Sequence, residues 1–222
     1  MENRMKSSTD STIFKFMFKF DVIIKNNMPV FTQTTTHIFD LSIPNCINNI
    51  RNQIQFESGI YYWFADEVLL RLLGIPNNNS LYSINRNGKS FFLLYIGIGP
   101  RDANTTKQFI KDRITKCHLG EKITNSTLRL SLSSMINKQF YKRVSGSKNK
   151  IKFYLLNKDE KHLTNIMMSH MLVSVYRHTA PWTVEQNLIQ THQPPINITH
   201  NTNGWFYSTI KSIRNTAQLN AI

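Results

Sequence analysis

The chain has 222 residues, 41% of them hydrophobic, and a formal net charge of +14, enough for one domain with a true core plus extensions and too apolar for a disordered chain. No apolar run approaches the roughly 20 residues that span a bilayer; Lys15, Lys19 and Asp21 interrupt the apolar stretch near the start, which argues against a signal peptide, and no basic amphipathic helix with a clean apolar face stands out to favour a membrane surface. Two cysteines, Cys46 and Cys117, suit reduced thiols in a cytoplasm better than a disulfide framework.

Residues 12–24 place Phe14, Phe16, Phe18, Phe20 and Val22 on one parity, which predicts a half-buried strand. Residues 1–50 read as an N-terminal extension packed on a main domain over 51–222. Two apolar, aromatic-rich runs follow, FESGIYYWF (56–64) and FFLLYIGIG (91–99), both predicted as strands. Between them, Asp66 to Leu73 predicts a short helix closed by Gly74 and Pro76, and Asn77–Ser80 and Asn87-Gly88 predict turns. The two strands are therefore expected to be antiparallel neighbours. Further on, helices are predicted over 105–118 and 126–136, the second capped by Asn125 or Ser126. VSGSKNK (144–150) reads as a basic loop, IKFYLL (151–156) as a third strand, 159–170 as a helix and 172–178 as a strand. Pro181 sits where a first-turn proline belongs, ahead of a helix over 182–191. A last helix is predicted over 205–217.

The charge is uneven. Residues 101–152 hold 13 Lys/Arg against 3 Asp/Glu, +10 of the total +14. An anionic partner, nucleic acid above all, is what such a window fits. Glu185 stands out for the opposite reason. It is the only Asp or Glu in residues 161–222 and lies between Val184 and Leu188 on a helix that is otherwise uncharged. A carboxylate beside an apolar face must be paired, protonated or bound to a cation. The competing reading is an exposed glutamate at a helix N-terminus, favoured there by the macrodipole. The remaining histidines, His37, His162, His170, His178, His192 and His200, show no zinc spacing with the cysteines. There is no phosphate-binding P-loop, dinucleotide fingerprint or seryl or cysteinyl nucleophile motif.

Gly59-Ile60-Tyr61, then Tyr95-Ile96-Gly97, then a basic helix with Arg113 and His118, then Glu185 on a later helix, then Asn197 in QPPIN (193–197) occur in an order that resembles the GIY-YIG nuclease superfamily, over about residues 56 to 215. The resemblance implies an α/β (α+β) fold with a small, mostly antiparallel sheet flanked by helices. It implies a metal-dependent endonuclease that hydrolyses phosphodiester bonds, with Glu185 holding one Mg²⁺ or Mn²⁺. The substrate it implies is DNA, with RNA as the alternative.

Within this resemblance Tyr61 is the expected general base and Tyr95 orients the water or the scissile phosphate. Arg113 is expected to grip phosphate oxygens, which a guanidinium does two at a time without losing its charge, with Arg101 as a competing candidate in the loop. His118 is assigned to a phosphate contact or to protonating the leaving oxygen, although Cys117 occupies the position one α-helical turn after Arg113. Asn197 is expected to steady the site by hydrogen bonding. Lys107, Lys111, Lys116 and Arg129 are the expected nucleic-acid contacts, the last within Ser126-Thr127-Leu128-Arg129, an element that resembles a DNA-contacting or domain-shaping feature of bacterial members. Ile98 stands where some repair members carry a lysine. The alternative function is a catalytically inactive nucleic-acid-binding module, with a structural or interaction domain as a third reading.

Overall fold

In the computed structural model, residues 37–76, 81–104, 108–120, 122–145 and 150–222 are described. The expected strand over 12–24, the expected turn at 77–80 and Lys107 lie outside them. The strands are β1 (His37–Asp40), β2 (Gly59–Asp66), β3 (Ser83–Arg86), β4 (Lys89–Gly99), β5 (Tyr141–Ser145), β6 (Lys150–Tyr154) and β7 (Met171–Arg177). The helices are α1 (Cys46–Gln53), α2 (Glu67–Leu72), α3 (Ile110–Asp112), α4 (Thr127–Met135), α5 (Asn157–His170), α6 (Glu185–His192) and α7 (Tyr207–Leu219).

Five strands form one sheet in the order β1-β7-β2-β4-β3, every neighbouring pair antiparallel. This is the mixed, mostly antiparallel architecture expected. The two signature strands β2 and β4 are adjacent at its centre, with Gly59 opposite Gly99 and Tyr61 opposite Gly97. β3 and β4 form a tight hairpin through Asn87 and Gly88, both at positive φ (50° and 75°), the conformation an Asn-Gly pair adopts most readily in a two-residue turn. The predicted strand at 151–156 belongs to a separate two-stranded sheet, β5-β6. Its partner YKRVS is too basic to read as a strand by hydrophobic pattern. His37–Asp40, expected within the extension, is an edge strand of the main sheet, paired with β7.

The sheet buries two different faces. One carries Phe39, Tyr61, Trp63, Ala65, Phe92, Leu94 and Tyr95 and is covered by Ile50 of α1, Leu69 of α2, Ile110 of α3, Leu132 of α4, Met167 of α5 and Ile210 of α7. The other carries Ile60, Phe64, Leu93, Ile96 and Ile98 beneath Leu188 and Ile189 of α6. A bulge in β4 sets which residues go where. Trp63 pairs with Tyr95 and Phe64 with Leu93, so Leu94 has no opposite number. One unpaired residue reverses the alternation of a strand. Tyr95 thereby reaches the same face as Tyr61, and Ile96 and Ile98 reach the other. Among the described residues no helix is long and apolar enough to cross a membrane.

Candidate active site

Tyr61 is fully enclosed and Tyr95 nearly so. Gly97 creates the room that Tyr61 needs: a Cβ there would lie 2.5 Å from the Tyr61 hydroxyl and from its ring carbon Cζ. Gly59, opposite the other end of the signature, lies so close to the Tyr176 carbonyl oxygen that no side chain fits.

Helix α3 runs directly into a π-helical turn, Arg113–His118, with Leu119 N–H donating to the Ile114 carbonyl at 3.0 Å. The wider i→i+5 turn, a form that recurs at functional sites, resolves the competition between Cys117 and His118. Both Arg113 and His118 end up beside the tyrosines. His118 is 0% exposed, held among the rings of Tyr61, Trp63 and Tyr95 with centroids 5.2, 5.7 and 6.0 Å away. Its Nε2 lies 2.8 Å from Tyr61 Oη and its Nδ1 lies 2.7 Å from Ser126 Oγ.

These contacts select a tautomer. Ser126 Oγ already accepts the Arg129 backbone N–H at 3.0 Å, as the N-cap of α4. The hydroxyl is buried, and among the described residues His118 Nδ1 is the acceptor open to its proton. Nδ1 therefore accepts from Ser126, and Nε2–H donates to Tyr61 Oη. Burial, with the charges of Arg113 and Arg129, holds the His118 pKa well below its ordinary value, so the ring stays neutral. With Nε2 engaged by Tyr61 and Nδ1 by Ser126, His118 has no ring nitrogen left for the phosphate contact expected of it; it holds Tyr61.

Burial raises the Tyr61 pKa above the ordinary phenol value, and Arg113 opposes this through its charge and through hydrogen bonding. Burial disfavours the Arg113 cation, but Tyr61, Cys117 and Tyr95 more than compensate and its pKa is raised. Tyr95 Oη lies 2.9 Å from Thr127 Oγ1, on the first residue of α4. Burial raises the Tyr95 pKa too, while the Thr127 hydrogen bond and the charges of Arg113 and Arg101 pull it down.

Glu185 opens α6. It is half-buried and close enough to interact electrostatically with both tyrosines. Burial raises its pKa, and His200, Arg101 and Arg113 oppose the rise. Thus Arg101, weighed from the sequence and placed in a loop, belongs to the same electrostatic cluster as Arg113. His200, absent from the expected site, joins it. Nothing local in the sequence marks His200; only the closure of the chain after α6 brings it to Glu185.

Asn197 acts on the backbone. Its Oδ1 accepts from Ile96 N–H and its Nδ2 donates to the Ile96 carbonyl, both at 2.9 Å. Ile196 N–H donates to the Leu94 carbonyl at 3.2 Å. The segment after α6 thus closes the open edge of β4 at the bulge and fixes the residues flanking Tyr95. Asn201, missed by sequence reading, is 2% exposed and ties this segment together by donating to the Pro194 and Asn197 carbonyls.

Arg129, expected to touch nucleic acid, is instead 0% exposed. It pairs with Glu160 Oε2 at 2.8 Å and donates to the carbonyl oxygens of His118 and Glu160. It supports the site from within. Lys116 is exposed and paired with Asp112 at 2.9 Å, and Lys111 is half-buried.

Among the described residues no three His, Cys, Asp or Glu side chains cluster as a metal site, and Glu185 makes no direct ion pair or hydrogen bond with any of them. A single half-buried carboxylate suits a hard ion that keeps most of its water and takes further oxygens from a phosphate, as Mg²⁺ does.

Two signature strands side by side, with a tyrosine from each facing a buried arginine and a helix glutamate, define an α/β domain of the nuclease type. The chain belongs to the GIY-YIG catalytic domain family, whose model matches residues 59–217. No curated protein and no solved structure matches the chain. Membership carries a nuclease-type function in general, and with it a nucleic-acid substrate.

Proposed function

We propose that the protein is a metal-dependent DNA endonuclease in which Tyr61 is the general base. The observation that carries this reading is the electrostatic convergence of Tyr61, Tyr95, Arg113 and Glu185 from four separated stretches of chain. Glu185 would hold one Mg²⁺ or Mn²⁺, which when bound supplies Lewis-acid charge stabilisation and makes water easier to deprotonate.

The chain's own residues do the rest. Tyr61 Oη takes the proton of the attacking water. Its phenolate is resisted by burial and favoured by two donors, His118 Nε2–H and the Arg113 guanidinium. Arg113 serves twice: it favours the ionised form of Tyr61 and presents its remaining N–H groups to the phosphoryl oxygens, where charge develops. Tyr95, fixed by Thr127, orients the water or the phosphate. Arg101, exposed beside Glu185, adds positive potential at the rim, where a phosphodiester enters. Lys111 and Lys116 extend that potential along the nucleic acid.

The test is incubation of the purified chain with supercoiled plasmid, with Mg²⁺ and with chelator, beside Glu185→Ala. Nicking that needs Mg²⁺ and falls about 10³-fold in the variant, with DNA binding kept, is expected, since metal charge stabilisation is worth several kcal/mol. Equal nicking by Glu185→Ala would remove the mechanism. Salt-sensitive binding without cleavage of any DNA or RNA form would leave the inactive binding module.

A further inference from the structure

The β5-β6 hairpin is separate from the main sheet, and its base is tied to the body of the domain. Phe153 packs on the core, the Phe140 carbonyl accepts from Ile222 N–H, and Lys142 N–H donates to the Ile222 carbonyl. Tyr141 lies opposite Tyr154, Arg143 opposite Lys152 and Ser145 opposite Lys150. Directly paired residues share a face, so one face carries two tyrosines and then three cations. Arg143, Lys150 and Lys152 are all exposed.

Like charges directly opposite each other destabilise a strand pair. Neither Arg143 nor Lys152 is in an ion pair among the described residues, and the sequence holds no Asp or Glu from Lys122 to Lys158. A hairpin with this pattern is stabilised when an anion lies across the pair. The aromatic rings say which anion. Tyr141 and Tyr154 stack on each other at 5.6 Å, and the Arg143 guanidinium lies 5.9 Å from the centre of the Tyr154 ring. Each ring therefore already has a stacking partner, and Tyr154 the guanidinium as well, which leaves less ring for unpaired bases and favours phosphate as the group recognised. A two-stranded ribbon also has the width that the major groove of a duplex admits.

We infer that the Arg143–Lys150–Lys152 face of this hairpin is a second nucleic-acid contact, a ribbon that grips the phosphate backbone of duplex DNA away from the catalytic tyrosines. The inference rests on the reading that the chain acts on DNA. It adds a contact that lies on no catalytic residue, so binding and cleavage separate there.

The experiment measures affinity of the full chain for a 30-base-pair duplex in chelator across a salt series, with plasmid nicking in Mg²⁺ alongside. Arg143→Ser/Lys152→Ser is expected to weaken binding about tenfold and to reduce the salt slope by about 2, roughly one for each phosphate left without its cation. Arg143→Lys/Lys152→Arg, which keeps both charges, is expected to bind as wild type, and Lys158→Ser/Lys161→Ser, on an exposed face of α5, to bind nearly so. Wild-type affinity and slope in the hairpin double variant would overturn the inference while leaving the nuclease reading intact. An equal loss in the α5 variant would also overturn it, by reducing the effect to net charge. Loss of binding to anionic vesicles with duplex binding unchanged would assign the face to a membrane surface and overturn it as well. A wild-type chain that neither binds duplex nor nicks plasmid would remove both readings together.

Discussion

Tyr61 and Tyr62 are neighbours on one strand, yet they occupy two different chemistries. Tyr61 faces the multi-helix side, hydrogen-bonded to His118 and acted on by Arg113. Tyr62 faces the α6 side, its ring 5.2 Å from Tyr176 and 6.5 Å from His192. Burial raises both phenol pKa values. For Tyr61 a guanidinium opposes the rise; for Tyr62 the further influences are two more tyrosines, Tyr176 and Tyr82, which add to it. The same residue type in the same strand thus meets a cation on one face and further tyrosines on the other, according to what covers each face. The histidines repeat the lesson. Burial lowers the pKa of both His118 and His192, but only His118 is also pressed by two arginines and hydrogen-bonded at both ring nitrogens.

The sharpest way to break this comparison is to remove one hydroxyl at a time. Tyr61→Phe is expected to lower the single-turnover nicking rate about 10²- to 10⁴-fold, the usual worth of a positioned proton acceptor. Tyr62→Phe should stay within about twofold. Because the Tyr61 pKa lies above the ordinary phenol value, the fraction of reactive phenolate rises about tenfold per pH unit through neutral and mildly alkaline pH. The wild-type rate should follow that slope, and the residual rate of Tyr61→Phe should not. Equal losses in the two variants, or an unchanged slope, would show that the faces do not divide the chemistry in this way.

A smaller effect is expected from crowding the catalytic face without removing any functional group. In Gly97→Ala the new methyl must displace the Tyr61 hydroxyl, and a misplacement of about 1 Å at a reacting group costs on the order of 10²-fold in rate. The flanking Ile96 and Ile98 point to the α6 face, where Ile98→Val should cost only about 0.5–1.5 kcal/mol in stability and leave the rate unchanged. Nicking rates and denaturant melts of both variants separate the two outcomes. A fully active Gly97→Ala protein would mean that Tyr61 does not need its present position.

What the sequence shows of this arrangement is the part written in local pattern. The signature strands show in their own aromatic and β-branched composition, and the Asn87-Gly88 turn, the Ser126 cap and the helix that carries Glu185 rest on interactions within a few residues. What it hides depends on single-residue irregularities or on distant partners. The Leu94 bulge leaves no mark in composition, yet without it Tyr95 would face α6. The π turn at Arg113–His118 looks like ordinary helix in the pattern of apolar residues, which is why Cys117 competes with His118. Arg129 reads as one more cation of a basic window because its partner Glu160 is 31 residues away. Charge density tells what kind of molecule binds, but it does not tell which cations stay in water.

The smallest effect concerns the enclosed histidine itself and is read from stability. The folded chain holds His118 neutral, with a pKa well below 6.5, whereas the unfolded chain protonates it normally. Above pH 6.5 neither state binds the proton and His118 contributes no pH dependence. As the pH falls below 6.5 the unfolded state gains protons that the folded state refuses, so stability must fall, by up to about 1.4 kcal/mol per pH unit for this one group. His37 and His192, whose pKa values burial also lowers, act in the same direction. His118→Gln should therefore start from lower stability, without the paired hydrogen bonds to Tyr61 and Ser126, and lose stability less steeply between pH 6.5 and 5. His192→Gln should flatten the curve less, because only burial holds that ring neutral. Urea melts at half-unit pH steps measure both slopes. If His192→Gln flattened the curve more than His118→Gln, the second face would hold its histidine neutral at least as firmly as the first, and the contrast between the faces would rest on hydrogen bonding alone.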